Sequence, residues 1–463
     1  MGGMETLARQ VARRLRAAGH QAYLVGGCVR DLLLGCHPKD FDVSTDAAPE
    51  RILELFPGSD QVGAHFGVVL VKSGGAHVEV ATFRSDHEYI DGRRPAGVRF
   101  ETDPRQDVLR RDFTINGLMM DPESGEVLDF VGGRADLDRR IVRAIGDPEV
   151  RFREDHLRLL RAVRFAARLG FAIEPATLAA IRRNHSAITK VSAERVRDEL
   201  SRILTEGGAR YGFELLDATG LIEDLLPEVA AMKGVAQPPE FHPEGDVWVH
   251  TLLLLEKFER PTFTLAWGAL LHDVGKPPTF RVAERIRFDG HVEAGVRLAR
   301  GILGRMRFSR EDEEQVEALV ANHMRFKDAP RMKESTLKRF LRLAQFEEHL
   351  ELHRLDCLAA SGNLDNYEFV RGKLAELPEE QLKPPPLLTG RDLIAAGYTP
   401  GPQFSKMLAA VEDAQLEGRI HSREEALKLV KELFGPRDTG YGCTIIGEEP
   451  RSTPERGDSG GSR

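Results

Sequence analysis

At 463 residues the chain is too long for one hydrophobic core, which predicts two to four domains. It is 41% hydrophobic and 30% charged, with no apolar run near the twenty or so residues of a membrane span; Glu5, Arg9, Arg13, Arg14 and Arg16 break up the N-terminal stretch, so no membrane partner is expected. Cys28, Cys36, Cys357 and Cys443 are scattered without CxxC spacing, which predicts a reduced, cytoplasmic protein and argues against a structural zinc site. A net charge of −8 argues against a generally basic nucleic-acid coater, and no DNA partner is expected. Residues 130–200, however, hold 15 Lys and Arg against 10 Asp and Glu. A basic zone on an acidic protein fits docking of one folded anionic ligand, or else a solvated arginine-rich helix face.

In chain order, residues 5–19 read as an amphipathic helix, and short runs at 22–25, 40–43, 67–72, 77–83 and 98–100 read as strands. Gly26-Gly27 open a short helix, Val29 to Leu34. Asp40 and Asp42 then stand two apart in a strand-like context, where period two points both carboxylates one way. Two carboxylates beside a glycine-rich helix start suit a divalent metal with a polyphosphate. Nucleotidyl transfer uses such metals at the attacking and leaving oxygens. Glu79, in His77-Val78-Glu79-Val80-Ala81, is either a third carboxylate or a solvent-facing strand residue. A DxD pair alone is weak; behind Gly26-Gly27 and Arg30-Asp31 it is much stronger.

Arg110, Arg111, Asp112 and Asn116 put cations, a carboxylate and an amide in one short segment able to hold phosphate and ribose oxygens; the plainer reading of Asp112 is a helix cap. Further on, a helix continuous through Arg153–Arg168 would place Glu154, Asp155 and Arg158 within about 100° of arc, and Arg158, Arg161, Arg164 and Arg168 within about 120°. Asp accepts from an exocyclic amine and Arg donates to a ring acceptor, so one such pair would select C and A while rejecting U and G. The plainer reading is an intrahelical ion pair worth a few tenths of a kcal/mol. From about residue 150 to 435 the pattern is helical, which makes the chain an α+β head with a small mixed sheet followed by an all-α neck, body and tail. Pro384-Pro385-Pro386 marks a linker, and the Gly- and Ser-rich end reads as disordered.

Taken together, LVGGCVRD, DFDV, RRDFTIN, Asp129-Phe130-Val131-Gly132-Gly133, REDHLRLLRAVRFAARLGF and the stretch Ser192 to Leu200 resemble the class II tRNA nucleotidyltransferases, the CCA-adding enzymes, with bacterial poly(A) polymerase as close kin. The resemblance covers roughly residues 20–205. It implies that Gly26, Gly27 and Arg30 line a triphosphate pocket and that Asp40 and Asp42 bind catalytic Mg2+, with Glu79 as a further catalytic candidate. Arg111, Asp112 and Asn116 would sit by the ribose and phosphates. Glu154, Asp155 and Arg158 would form the protein template for CTP or ATP, with Arg161 and Arg164 as further nucleotide-binding candidates. A tRNA 3′ hydroxyl would attack the α-phosphate. The segment Asp86 to Pro95 matches the place of the family's flexible loop and favours full CCA addition.

His250, His272-Asp273 and Asp356 follow the order of an HD-type metal site, with His291 and His323 as further ligands. Cys357 reads as incidental, and His349 and His353 as helix-surface residues. The resemblance is to HD phosphohydrolase domains, which implies a further divalent metal and hydrolysis at a damaged or cyclic RNA end; the plainer alternative is a tRNA-contacting scaffold with idle histidines. The expected divisions are a catalytic head, 1–145; a neck, 146–210; a body, 211–375, with the HD region at about 245–360; a tail, 384–436; and a disordered end, 437–463. The expected function is addition of CCA to the tRNA acceptor end from CTP and ATP. The alternatives are an A-adding or CC-adding specialist, a poly(A) polymerase, or an RNA-end phosphohydrolase whose head only delivers RNA. A non-enzymatic RNA-binding protein is disfavoured by the intact Asp40, Asp42, His272 and Asp273.

Overall fold

The computed structural model describes residues 3–62, 67–89, 95–240, 242–243 and 245–435. The tip of the expected flexible loop, residues 90–94, and the expected disordered end, 437–463, lie outside the described residues.

The chain forms two compact units: residues 1–328 with 344–371, and residues 329–343 with 372–463. The first begins with α1 (Gly3–Ala17), whose Leu7, Val11 and Leu15 are buried and which packs on the sheet of the head. That sheet contains β1 (Ala22–Val25), β2 (Asp42–Thr45), β3 (Asp60–Val62), β4 (Val68–Ser73), β5 (Ala76–Thr82), β8 (Leu118–Met120) and β9 (Val127–Asp129) in the order β3-β4-β5-β2-β1-β8-β9; β6 (Arg84–Tyr89) and β7 (Pro95–Phe100) form a separate hairpin. The sheet is mixed, as expected: β2 and β5 run parallel and the other pairs antiparallel. The head also carries α2 (Gly27–Leu33), α3 (Pro49–Leu55), α4 (Pro104–Leu109) and α5 (Gly133–Arg139).

The neck follows with α6 (Pro148–Glu154), α7 (Arg158–Leu169), α8 (Pro175–Asn184) and α9 (Ala193–Thr205). Its helix starts are written locally: proline at the first turn of α6 and α8, and Asp147 and Glu174 side chains accepting from Glu149 N and Thr177 N at 2.9 and 2.7 Å. A two-residue parallel ladder of β10 (Ile141–Val142) and β11 (Ala172–Ile173) ties α7 back to the head.

The body contains α10 (Ala209–Thr219), α11 (Leu221–Leu225), α12 (Pro227–Ala230), α13 (Val247–Glu256), α14 (Phe263–Leu271), α15 (Lys276–Thr279), α16 (His291–Arg305), α17 (Arg310–Asn322) and α19 (Phe346–Ala359), with a short ribbon of β12 (Arg281–Val282) and β13 (Ile286–Arg287). Every residue of α14 from Thr264 to Leu271 is buried, as befits an apolar helix at the centre of its unit. Trp267 Nε1 donates to Ser201 Oγ of α9 at 3.0 Å, fastening body to neck.

The tail corrects one expected boundary. The second unit takes α18 (Glu334–Leu341) from inside the expected body and packs it on α23 (Gln403–Leu416), where Arg339 and Arg342 both pair with Glu412 at 2.6 and 2.5 Å. Its core includes Leu393 of α22 (Gly390–Ala395), Val411 of α23 and Val430 of α24 (Arg423–Phe434). The chain enters it along α20 (Asp365–Glu376) and the one-turn α21 (Glu379–Leu382).

Candidate active site and metal centre

The head site starts from strand register. Asp42 on β2 pairs in parallel with Glu79 on β5, so both carboxylates leave the same face of adjacent strands. Asp40 lies upstream of β2, contrary to the expected strand at 40–43. Asp42 is already opposite Val25, the last residue of β1, and Gly26 then turns the chain away at φ 75, leaving Asp40 no strand to pair with. A Cβ at Gly26 would lie 3.1 Å from Arg111 Nη1, a second reason for glycine there. Asp40 and Glu79 are exposed and Asp42 half-buried. Burial, with the charges of Glu79 and Asp40, pushes Asp42 up to about 6 against the pull of Arg111. Such a set lacks positive charge, which a divalent cation supplies; the chemistry of Asp40 and Asp42 therefore fits magnesium. Among the described residues, the groups of three or more donors that come within 4.8 Å of one another lie in the body, not here.

Around this set the expected nucleotide-binding residues form a buried lattice. Arg30 exposes 2% of its surface; its Nη1 donates to Asn116 Oδ1 at 2.7 Å and its Nε to Asp31 Oδ1 at 2.8 Å. It therefore braces Asn116 here instead of presenting a guanidinium to solvent. Asp112 accepts from Asn116 Nδ2 at 3.2 Å and from Arg161 Nη2 at 2.6 Å. Burial would raise its carboxyl, yet the Arg161 and Arg158 charges and these hydrogen bonds hold it at about 2. Arg111 donates to Ser44 Oγ and Asp107 Oδ2 at 3.3 and 2.9 Å and stays half-buried beside Asp42.

The template region departs from a continuous helix. α6 ends at Glu154, and Asp155 adopts φ −142, ψ 107 before α7 begins at Arg158. The break is local chemistry: Asp155 Oδ1 accepts from Leu157 N at 3.1 Å, and its Oδ2 from Arg195 Nη2 at 2.8 Å. Arg158 Nη1 bonds Glu154 Oε2 at 2.6 Å, and its Nη2 bonds Arg110 O at 3.0 Å. Glu154, Asp155 and Arg158 are thus neighbours through a turn, not through a shared helical face. The expected basic face of α7 is likewise corrected: Arg161 pairs with Asp112, Arg164 with Glu199 at 2.6 Å and Arg168 with Asp31 at 3.2 Å. Buried acids draw these arginines inward, and the exposed cations of residues 130–200 are Arg134, Arg139, Arg140, Arg153, Arg182, Arg183 and Lys190.

The body brings the histidines together. The ligand atoms of His250, His272 and Asp273 lie within 4.8 Å of one another, as do those of Asp273, His291 and His323, so Asp273 belongs to both groups. Asp356 Oδ1 is 3.0 Å from His250 Nε2 and 4.0 Å from His272 Nε2. The Nδ1 atoms of His272, His291 and His323 face the carbonyls of Ala269, Phe288 and Val320 at 2.7, 2.9 and 2.7 Å. A carbonyl only accepts, so each Nδ1 carries the proton and each Nε2 a lone pair. Those three Nε2 atoms are buried without a hydrogen-bond partner. Burial pushes His323 down to about 4 despite Asp273, keeping it neutral. Burial opposes ionisation of Asp273, but His272 and Lys276 hold its carboxyl well below the usual range. Neutral imidazoles and ionised carboxylates sharing one pocket are the donor set of a divalent metal centre. His349 and His353, expected on the surface, are instead buried, and His353 stacks on Phe326 at 4.3 Å.

Comparison with known proteins gives the lineage. The pattern described as "Poly A polymerase head domain" matches residues 22–143, "Probable RNA and SrmB- binding site of polymerase A" matches 170–233, and "HD domain" matches 247–358. A CCA-adding enzyme of Levilactobacillus brevis is 32% identical over 91% of this chain and 96% of its own length. The chain belongs to the CCA-adding enzyme family. CCA-adding enzymes of Lactobacillus helveticus and Bacillus subtilis are 42% and 38% identical over shorter alignments, covering 54% and 57% of this chain; each alignment spans 63% of the relative's length. The Bacillus stearothermophilus CCA-adding enzyme solved with CTP superposes with a TM-score of 0.73 at 28% identity, covering 93% of this chain and 98% of that one. A Thermotoga maritima enzyme complexed with tRNA shares the fold, with a TM-score of 0.58 at 20% identity, over 93% of this chain and 95% of its own.

Within this CCA-adding enzyme architecture some residues escaped the sequence reading. Asp107, fully buried, anchors Arg110 and Arg111 at 2.6 and 2.9 Å; its three- and four-residue spacing to them on a helical turn was the available signal. Arg195 and Glu199, within the quoted Ser192–Leu200 stretch, hold Asp155 and Arg164. Lys276 pairs with Asp273 at 2.7 Å and donates to the buried Gln237 at 2.6 Å; Lys276 sits in the LLHDVGKP run, whereas nothing in the sequence marks Gln237.

Proposed function

We propose that this chain is a cytoplasmic, template-independent nucleotidyltransferase that adds C, C and A to tRNA 3′ ends from CTP and ATP. The observation that carries the reading is the carboxylate set Asp40, Asp42 and Glu79 on one face of the head, with Asp42 raised to about 6 by its acidic neighbours. The tRNA 3′ hydroxyl attacks the α-phosphorus, a new P–O bond forms, the bond to the β-phosphate bridge breaks, and pyrophosphate leaves. Magnesium, held by Asp40 and Asp42, supplies the positive charge that attacking and leaving oxygens need. Arg111, fixed by Asp107 and Ser44, presents its charge beside Asp42 for the triphosphate. Asp155 and Arg158 offer the acceptor and donor that match the amine and ring nitrogen of C and A. Incubation with tRNA lacking its terminal trinucleotide tests this: CTP and then ATP are incorporated, and Asp42→Ala abolishes both. Incorporation of ATP alone, or of neither, sinks the reading.

The unpartnered buried Nε2 atoms of His272, His291 and His323 favour a second activity in the body, hydrolysis of a phosphoester at an RNA 3′ end. His250, His272, Asp273, His291, His323 and Asp356 would hold the divalent metal, which supplies an activated water and polarises the phosphoryl group. RNA ending in a 2′,3′-cyclic phosphate is opened by the metal-loaded protein and not by His323→Ala, which retains CTP incorporation.

A further inference from the structure

Between Asp273 and His291 the chain makes a detour that the metal donors do not require. It runs through Lys276, out along β12 to the Ala283-Glu284-Arg285 tip, and back along β13. Arg281, Arg285 and Arg287 are exposed there, and none forms an ion pair with a described residue. Arg281 and Arg287 are register partners in the antiparallel ribbon, so two guanidinium side chains stand opposite each other on one face. Like charges directly across a ladder are destabilising, and an anion between them would reverse the sign. The same stretch carries Glu284 at its tip and Asp289 after β13, so the positive charge is concentrated at the Arg281–Arg287 pair.

The ribbon is also fastened to the metal donors. Phe280 and Phe288 flank its base with ring centroids 5.9 Å apart, and Phe280 is 39% exposed. Lys276 Nζ sits 5.4 Å from the Phe288 ring centroid while pairing with Asp273, and the Phe288 carbonyl holds His291 Nδ1. Paired cations beside an open aromatic are the pieces from which single-stranded RNA sites are built: charge for the backbone and a ring face for a base.

We propose that the 281–287 ribbon is an RNA arm, with Arg281 and Arg287 clamping a backbone phosphate and Phe280 offering a stacking face, that leads an RNA 3′ end to the metal centre of the body. This rests on the phosphohydrolase reading of that centre. The test compares wild type with Arg281→Gln/Arg287→Gln on short RNA ending in a 2′,3′-cyclic phosphate and on bis(p-nitrophenyl) phosphate, which has no backbone to grip. In the variant KM for RNA rises about tenfold, and the dependence of log KM on log salt becomes shallower by about 1.4, or 0.7 for each lost contact. Turnover of the small diester and incorporation of CTP into tRNA stay at wild-type level. Unchanged KM for RNA, or equal loss on both substrates, overturns the arm. A second readout needs no hydrolysis: p-benzoylphenylalanine at position 282, where Val282 is 71% exposed, crosslinks to the RNA on irradiation, and the double variant abolishes the crosslink. If wild type hydrolyses neither substrate, the phosphohydrolase reading fails and the crosslink alone decides. A crosslink dependent on the arginines keeps the arm as an RNA contact, and its absence removes it.

Discussion

Asp112 and Asp42 show opposite electrostatics a short distance apart. Asp112, held at about 2 by Arg161, has its folded value below the ordinary 3.8. Its contribution is therefore present above 3.8 and is lost as pH falls through about 2; a shift of this size is worth about 2 kcal/mol. Acid denaturation monitored by fluorescence should show Asp112→Asn already destabilised at pH 7, with a flatter pH dependence between 4 and 2. Asp42 is raised to about 6 from 3.8, so its ionisation at neutral pH works against the metal-free fold. In EDTA at pH 7, Asp42→Asn should raise thermal stability by about 1 kcal/mol, discounting the shift for partial exposure, while abolishing CTP incorporation. The identities of Asp40, Asp42 and Glu79 were legible in sequence because strand period and motif order point to them. The burial of Arg30 and the inward turn of Arg161, Arg164 and Arg168 were not, since a helical wheel shows which residues share a face but not which buried acids face them.

Among the elements, α14 and α16 meet through glycine. A Cβ at Gly275 would lie 2.0 Å from the His291 carbonyl and 2.4 Å from Gly295 N, and both contacts are with backbone that cannot rotate away. Gly275→Ala should push α16 off the turn that carries His272-Asp273, costing about 3 kcal/mol or more. Calorimetric metal titration would show weakened binding by the body, while CTP incorporation in the head persists. The break between α6 and α7 was hidden for a related reason. Arg153 to Arg168 has good helical spacing throughout, and only Asp155's bonds to Leu157 N and Arg195 reveal the turn. Strands β3, β6, β8 and β9 were also missed; the first is exposed throughout and β8 and β9 are three residues each, so neither carries enough alternation to read.

For the whole molecule, lone pairs buried on His272, His291 and His323 mean that metal binding is coupled to folding of the first unit. Stripping divalent ions should lower its melting temperature, and re-adding them should restore it in proportion to ln(1 + [metal]/Kd), which differential scanning calorimetry reads directly. His323→Ala should blunt that response. The division into head, neck and helical body was legible because the change from alternating to helical spacing near residue 150 is a change in burial pattern. The membership of α18 in the tail unit was not, because a chain that leaves a unit and returns changes neither composition nor period. One property of the head has a practical reach. Asp42 and Glu79 are brought together by hydrogen bonds between β2 and β5, not by the peptide that joins them. That peptide includes the exposed Gly74-Gly75 turn, where both residues have positive φ. Two separately expressed fragments, ending and beginning at that turn, should therefore complement each other into a working nucleotidyltransferase, an enzyme that can be switched on by mixing its halves.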